Sequence, residues 1–221
     1  MCPNKSSPPS EPAVPVVESA QKTISREDLM NLPIRRYDGP IHLLETTADV
    51  DRALSDLQQE SVMGFATETR PSFQKGQSYR PSLVQIATGQ AVYLFQLIRL
   101  DFAGVLGDLL ANPKIVKTGV AMADDLRKLK EVFPFRESQV VDLGVIAHRC
   151  GIEKTGVRNL AGMFLGFRLP KGTRTSNWAR EQLTPAQLTY AATDAWACRE
   201  LYLRFRQVGL LAAEARRSSK P

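Results

Sequence analysis

Glu68, an aspartate at 124 or 125, Tyr190 and Asp194 are the residues of this chain whose types and spacing suit chemistry in common. Glu68 lies in the run GFATETRPSF, residues 64–73, an apolar and threonine-rich stretch of strand character. Side chains alternate faces along a strand, so positions 66 and 68 point the same way. An Asp-x-Glu pair there would offer two oxygen ligands to a hard divalent cation, whereas Ala66-Thr67-Glu68 offers one. Taken alone, Glu68 reads as a solvent-facing acid on an edge strand. Asp124 and Asp125 fall near the start of an expected helix, where acids complement the helix dipole, and spacing does not choose between them.

Tyr190 and Asp194 are four residues apart on the final helix and share a face. Their neighbours Ala191, Ala192, Ala195 and Ala197 are small, which lets that helix approach another element closely. A carboxylate on such a stretch needs a partner, because an unpaired buried carboxylate is very costly. A metal ion supplies one. Acids from a strand and two helices, converging without His or Cys, describe an oxygen-ligand site suited to Mg²⁺ or Mn²⁺. Two such ions ~3.5–4 Å apart are a common device for in-line phosphodiester cleavage. Tyr190 would then orient the attacking water or take its proton, and with a free pKa of ~10 the latter needs a nearby cation.

The elements that must position these residues alternate strand and helix. Residues 41–45 predict a short strand and 48–60 an amphipathic helix with Val50, Ala53, Leu54 and Leu57 on one stripe. Strands follow over 62–70, 82–88 and 91–96, with Gly89-Gln90 as a hairpin turn. Helices are expected over 102–111, 123–133, up to His148, 157–166 and 185–208, with strands at 114–120 and 140–143. Thr184 and Pro185 start the last helix, and Ser25 with Asp28 forms a capping box ahead of a short helix that stops before Pro33. A hairpin followed by strand–helix alternation argues an α/β fold, a mixed sheet of five to six strands flanked by helices.

Composition sets the bounds. The 221 residues are 43% hydrophobic and 24% charged, enough for one domain with appendages. Residues 1–22 form a Pro/Ser-rich tail expected to be disordered, 23–210 the folded domain, and 211–221 a basic C-terminal tail. Lys and Arg exceed Asp and Glu by 29 to 23, a net +6 that only mildly favours a polyanionic partner. Cys2, Cys150 and Cys198 are far apart, and His42 and His148 are the only histidines, so neither disulfides nor a zinc site is expected. No apolar run approaches the ~20 residues of a membrane helix. A cytoplasmic protein is the expectation.

Together these motifs resemble the DEDDy branch of the DnaQ-like 3′–5′ exonucleases, whose members include RNase D and the Werner-syndrome exonuclease domain. The resemblance runs from about Ile41 to Phe205. The family's Asp-x-Glu is matched by Ala66-Thr67-Glu68, its second aspartate by Asp125 within KTGVAMADDLRKL, and its Tyr-x-x-x-Asp by Tyr190 and Asp194. The words PSLVQIATG, LGFRLPKG and SNWAREQLTPAQLTYAATDAW also fit. The resemblance implies an RNase H-like fold and two metal ions per site. Glu68, Asp194 and the missing acid at 66 would hold one ion, the acid at 66 would bridge to the second, and Asp125 would assist. It further implies that Tyr190 positions the nucleophile and that nucleoside 5′-monophosphates leave singly from a free 3′ end. Thr67, Thr69, Lys171 and Arg174 are the candidate nucleic-acid contacts, while Trp178 is read as core and Asp142 as a capping acid.

Three readings account for Ala66: an inactivating Asp-to-Ala substitution in an exonuclease, a native alanine in a catalytically dead nucleic-acid-binding module, or an active nuclease using another acid. The first is preferred because every other family residue remains. Substrate preference stays open between DNA and the RNA trimming of an RNase D-like enzyme.

Overall fold

A computed structural model of the protein describes residues 22–74, 76–99, 101–172 and 175–212. The tail assigned to 1–22, apart from its last residue, and most of the tail assigned to 211–221 lie outside the described residues. Helix α1 (Arg26–Asn31) opens where the Ser25 hydroxyl accepts the Asp28 N–H at 3.0 Å and donates to the Asp28 carboxylate at 2.7 Å. Strand β1 (Ile41–Leu44) leads to α2 (Thr47–Leu57), whose start is closed by reciprocal bonds between Thr46 and Asp49. Strands β2 (Val62–Thr69), β3 (Pro81–Ala87) and β4 (Val92–Gln96) follow, with the expected turn at Gly89-Gln90 closed by the Thr88 N–H on the Ala91 carbonyl. Then come α3 (Ala103–Ala111), β5 (Val116–Gly119), α4 (Met122–Lys130), β6 (Val140–Asp142), α5 (Leu143–Arg149), α6 (Val157–Leu165) and the long α7 (Pro185–Gln207).

The sequence pattern anticipates these elements to within a few residues. The largest differences are at the ends of α2, expected to 60 but ending at Leu57, and α4, expected to 133. Helix α4 ends at Lys130, where the Val132 and Phe133 N–H groups turn back onto the Leu129 carbonyl and Phe133 is buried in the core.

The six strands form one mixed sheet in the order β1-β4-β3-β2-β5-β6. The β2–β3 and β3–β4 pairs are antiparallel and the others parallel. Strand β2 is therefore interior, not an edge. Glu68, expected alone to face solvent, is instead 7% exposed, on the face of this interior strand that α7 packs against at Gly64.

Alternation sorts the sheet's two faces. Met63 and Phe65 of β2 join Val84, Ile86, Tyr93 and Phe95 in a core beneath α2, α3 and α4. Leu83, Ala87, Val92 and Leu94 lie on the other face, under Trp178 and the alanines Ala191, Ala192 and Ala195 of α7. The small residues of α7 do what their size suggested. A Cβ on Gly64 would lie 2.0 Å from the Ala195 carbonyl oxygen and 2.9 Å from the Arg199 nitrogen, so β2 and α7 meet backbone to backbone. Gly119 of β5 is also held close, 2.7 Å from the Phe65 carbonyl oxygen on the same measure.

Gly64→Ala forces that contact apart. The expected cost is about 3 kcal/mol, at the upper end for overpacking, read as a lower urea midpoint by circular dichroism. A midpoint equal to the parent's would contradict the backbone contact.

Candidate active site

The site is built at the carboxyl-terminal end of β2. Pairing with β3 is regular from Gly64 to Glu68 and shifts register between Glu68 and Thr69, so the irregularity falls directly after the buried acid. Ala66 and Glu68 lie on the face covered by α7, and Thr67 turns to the opposite face. The residue directly across from Ala66 is Gln85 of β3. Gln85 is fully buried, and neither atom of its amide has a hydrogen-bond partner among the described residues.

Asp125 arrives from α4. Burial pushes its carboxyl up to about 6, opposed by the Thr67 hydroxyl and, more weakly, by Lys128. That hydroxyl is shut off from solvent and close enough to favour the charged carboxylate, yet no described group meets it in good hydrogen-bonding geometry. Asp124 differs in every respect. It is exposed, and its pairing with Lys128 at 2.8 Å and Arg127 at 2.6 Å holds its carboxyl below the usual range. The local environments therefore favour Asp125 as the acid available for chemistry.

What places α4 is Asp142, a capping acid as the sequence suggested. One carboxylate oxygen accepts the Gly144 and Val145 N–H groups at the start of α5, at 2.9 and 3.2 Å. The same carboxylate accepts the Ala121 and Met122 N–H groups at the start of α4, at 3.2 and 2.8 Å. Two helix N-termini thus share one anion, which satisfies orphan donors and complements both dipoles. Ala121 takes a left-handed conformation, φ 58°, to turn β5 into α4 within this clamp.

Tyr190 and Asp194 come from α7, both partly buried. The Tyr190 ring lies 6.0 Å from Trp178, which is wholly buried as expected of a core residue. A Cβ on Gly172 would fall 2.1 Å from the same ring, so any larger residue there must displace Tyr190. The loop that carries Trp178 is tied at both ends by buried glutamines. Gln96 donates to the Arg180 and Glu181 carbonyls at 2.7 and 3.2 Å, and Gln187 donates to the Ser176 hydroxyl at 3.0 Å. One turn beyond Asp194, the buried Cys198 accepts a bond from the Val120 N–H. Burial raises its thiol, and the charges of Asp194, Asp142 and Asp125 raise it further. Cys198 therefore registers α7 and α4 carboxylates from one position.

Of the candidate nucleic-acid contacts, Lys171 is exposed in a cleft of about 420 Å³ beside Tyr190, with Arg36, Thr189 and Thr193. Arg174 lies outside the described residues. Thr69 is partly exposed after the register shift. The Thr67 hydroxyl faces inward, so a strand would meet Thr67 through its backbone alone. Sequence reasoning passed over Gln85 and Arg36. A lone amide within the apolar run Leu83-Val84-Gln85-Ile86-Ala87 was the available signal for the first, and nothing local marks the second.

Carboxylates fit a hard divalent cation by chemistry, but the set is incomplete. Among the described residues no three His, Cys, Asp or Glu side chains group closely enough to hold a metal ion. Alanine at 66 supplies no ligand at the point nearest Glu68 on the same face. Among the described residues no helix is long and apolar enough to cross a membrane.

Comparison with known proteins agrees with this architecture. A family described as 3′-5′ exonuclease matches residues 41–209. The human exonuclease mut-7 homologue is 30% identical over 217 residues, covering 83% of this chain but 25% of its own length. This chain thus spans a quarter of that relative. Among solved structures, the EXO domain of Aedes aegypti Nibbler superposes with a TM-score of 0.70 at 24% identity, covering 81% of this chain and 93% of that one. Trypanosoma brucei RNase D in complex with RNA U12 superposes at 0.69 with 20% identity, covering 76% of this chain and 62% of that one.

The raised carboxyl of Asp125 gives a signed pH dependence. Between its ordinary value of 3.8 and about 6, the folded chain keeps a proton that the unfolded chain has lost. This residue's contribution to stability therefore falls as pH rises through that window. Asp125→Asn should be more stable than the parent at pH 7, with the difference closing by about pH 4. Thermal melts of both proteins across this range, without divalent ions, check the sign. A difference that widens toward low pH would contradict the burial assigned to Asp125.

Proposed function

The chain belongs to the 3′–5′ exonuclease family, and we propose that its folded domain engages a nucleic-acid strand at a free 3′ end. With an aspartate at position 66, it would release nucleoside 5′-monophosphates one at a time. The observation that carries this reading is the buried Glu68 near the end of a strand that packs directly against α7 at Gly64 and meets the Asp125 carboxyl through Thr67. RNA bound to a structural neighbour, the Trypanosoma brucei RNase D, supports nucleic acid as the substrate class.

An aspartate at 66 would complete, with Glu68 and Asp194, an oxygen-ligand set for the two Mg²⁺ or Mn²⁺ ions of the proposed mechanism, with Asp125 assisting. Such ions, when bound, make a water acidic enough to attack and stabilise charge developing at phosphorus. The chain's own residues do the rest. Tyr190, its ring packed against Gly172 and near Trp178, would direct its hydroxyl at the nucleophilic water and fix its line of attack. Lys171 and Arg36, in the cleft beside that ring, hold strand phosphates. The packed alanines beneath α7 keep the helix from shifting when the strand enters.

As it stands, the chain binds single-stranded 3′ ends and scarcely cleaves them. A second reading, a nucleic-acid-binding module with native alanine, is favoured by the incomplete ligand set itself. Ala66→Asp separates the two. The expected outcome is Mg²⁺- or Mn²⁺-dependent shortening of 5′-labelled oligonucleotides, with nucleoside 5′-monophosphates identified by mass spectrometry. Adding Tyr190→Phe should then lower kcat about 10²–10⁴-fold with little change in strand affinity. No shortening by Ala66→Asp, with binding retained, would give the binding module the case. Shortening by the parent at an equal rate would overturn the ligand role of position 66. Matched DNA and RNA strands in the same assay decide between a DNA-directed enzyme and RNase D-like trimming.

A further inference from the structure

We infer that Gln85 is the positioning residue for the side chain at 66, its Nε2 placed to donate a hydrogen bond to a carboxylate there. This rests on the reading that position 66 belongs to an aspartate. Three buried glutamines flank or underlie α7, and two are paired. Gln96 donates to two carbonyls and accepts from Arg99, while Gln187 donates to Ser176 and accepts from the Thr184 N–H. Gln85 is 0% exposed, and among the described residues both ends of its amide lack a partner. Buried polar atoms are nearly always paired, since burial strips them of the hydrogen bonds they made with water. An orphan amide in the middle of a packed sheet needs a reason.

Register supplies one. Antiparallel pairing sets Gln85 directly opposite Ala66, and opposed residues project on the same face with Cβ atoms ~4.5–5.5 Å apart. Its other direct neighbour across the sheet is Leu94, and along its own strand the same face carries Leu83 and Ala87. Over this face lie Trp178, Ala191, Ala192 and Ala195, and Glu68 stands diagonally across on β2. The indole can only donate and Gln85 bonds to neither side chain, so position 66, directly opposite, is where an acceptor for Nε2 would stand. A short aspartate and a longer glutamine bridge a gap of that size. The bond would take one carboxylate oxygen and leave the outward lone pairs free, fixing the orientation of a ligand that α7 and β2 otherwise leave free to rotate. Alanine removes the acceptor and strands the donor.

The test is the sign of one substitution in two backgrounds, measured without divalent ions. In the parent, Gln85→Met replaces an unpaired amide with an apolar chain of similar shape and should raise Tm by about 2–4 °C. In the Ala66→Asp protein the same change removes the acceptor's partner and should lower Tm by a similar amount. Shifts of the same sign in both backgrounds overturn the inference. If a Met variant fails to fold, nuclear magnetic resonance of the unaltered Gln85 decides. A downfield move of its side-chain amide protons on Ala66→Asp supports the contact, and an unmoved resonance overturns it. In the Ala66→Asp background, Gln85→Met should also weaken Mn²⁺ binding by calorimetry about 10–100-fold, and an unchanged affinity overturns the positioning role. Failure of the nuclease reading looks different. Opposite-sign shifts in a protein that does not digest strands leave the contact standing and remove the nuclease, while digestion with same-sign shifts does the reverse.

Discussion

The backbone contact between β2 and α7 governs the rest of the molecule. A strand and a helix ordinarily stand a full side chain apart. Here Gly64 offers only hydrogen and the helix presents alanines, so the Ala195 carbonyl lies where a Cβ would be. That closeness brings residues on one face of α7 level with the even-numbered residues of β2, including Glu68. It also leaves no room for water above the middle of the sheet, which is why the α7-covered face of β3 is fully buried. A larger residue at 64 or 195 would lift α7, and Asp194 with it, away from β2 with no change to either acid.

The second constraint is electrostatic. Helix α4 is short, and its first turn carries the two adjacent acids Asp124 and Asp125. Surface ion pairs with Arg127 and Lys128 stabilise the outer acid, while the inner one is partly desolvated. The helix's apolar face is fixed in the core by Met122, Leu126 and Leu129, and its first N–H groups are held by Asp142, which also caps α5. One acid thus organises another without touching it. Division of labour among carboxylates follows from their surroundings, because the side chains are chemically alike.

Much of this was legible in the sequence. Local signals were the reliable ones: the caps at Ser25 and Thr184, the Gly89-Gln90 turn, the alanine-rich face of α7 and the core role of Trp178 all follow from short-range chemistry. Glu68 was misjudged in isolation because β2 lies inside the sheet with α7 packed on its even-numbered face, contacts distant in sequence that leave no trace in the strand itself. Asp124 and Asp125 could not be separated by helical spacing, since the difference lies in which one faces β2. The missing partner of Gln85 was invisible for the same reason, because a single polar residue in a strand gains meaning only when the register names its neighbour. The left-handed Ala121 had no warning, as the usual glycine signal is absent.

Neither constraint involves position 66. The Gly64 contact and the Asp142 clamp hold equally well whatever side chain stands there, so folding and chemistry are separable in this chain. That separation has a genetic side. Two of the four alanine codons become aspartate codons by a change of the middle base alone, and a change at 66 leaves the Gly64 contact and the Asp142 clamp in place. The scaffold can therefore persist in a lineage through loss of the acid and take it back in a single mutational step.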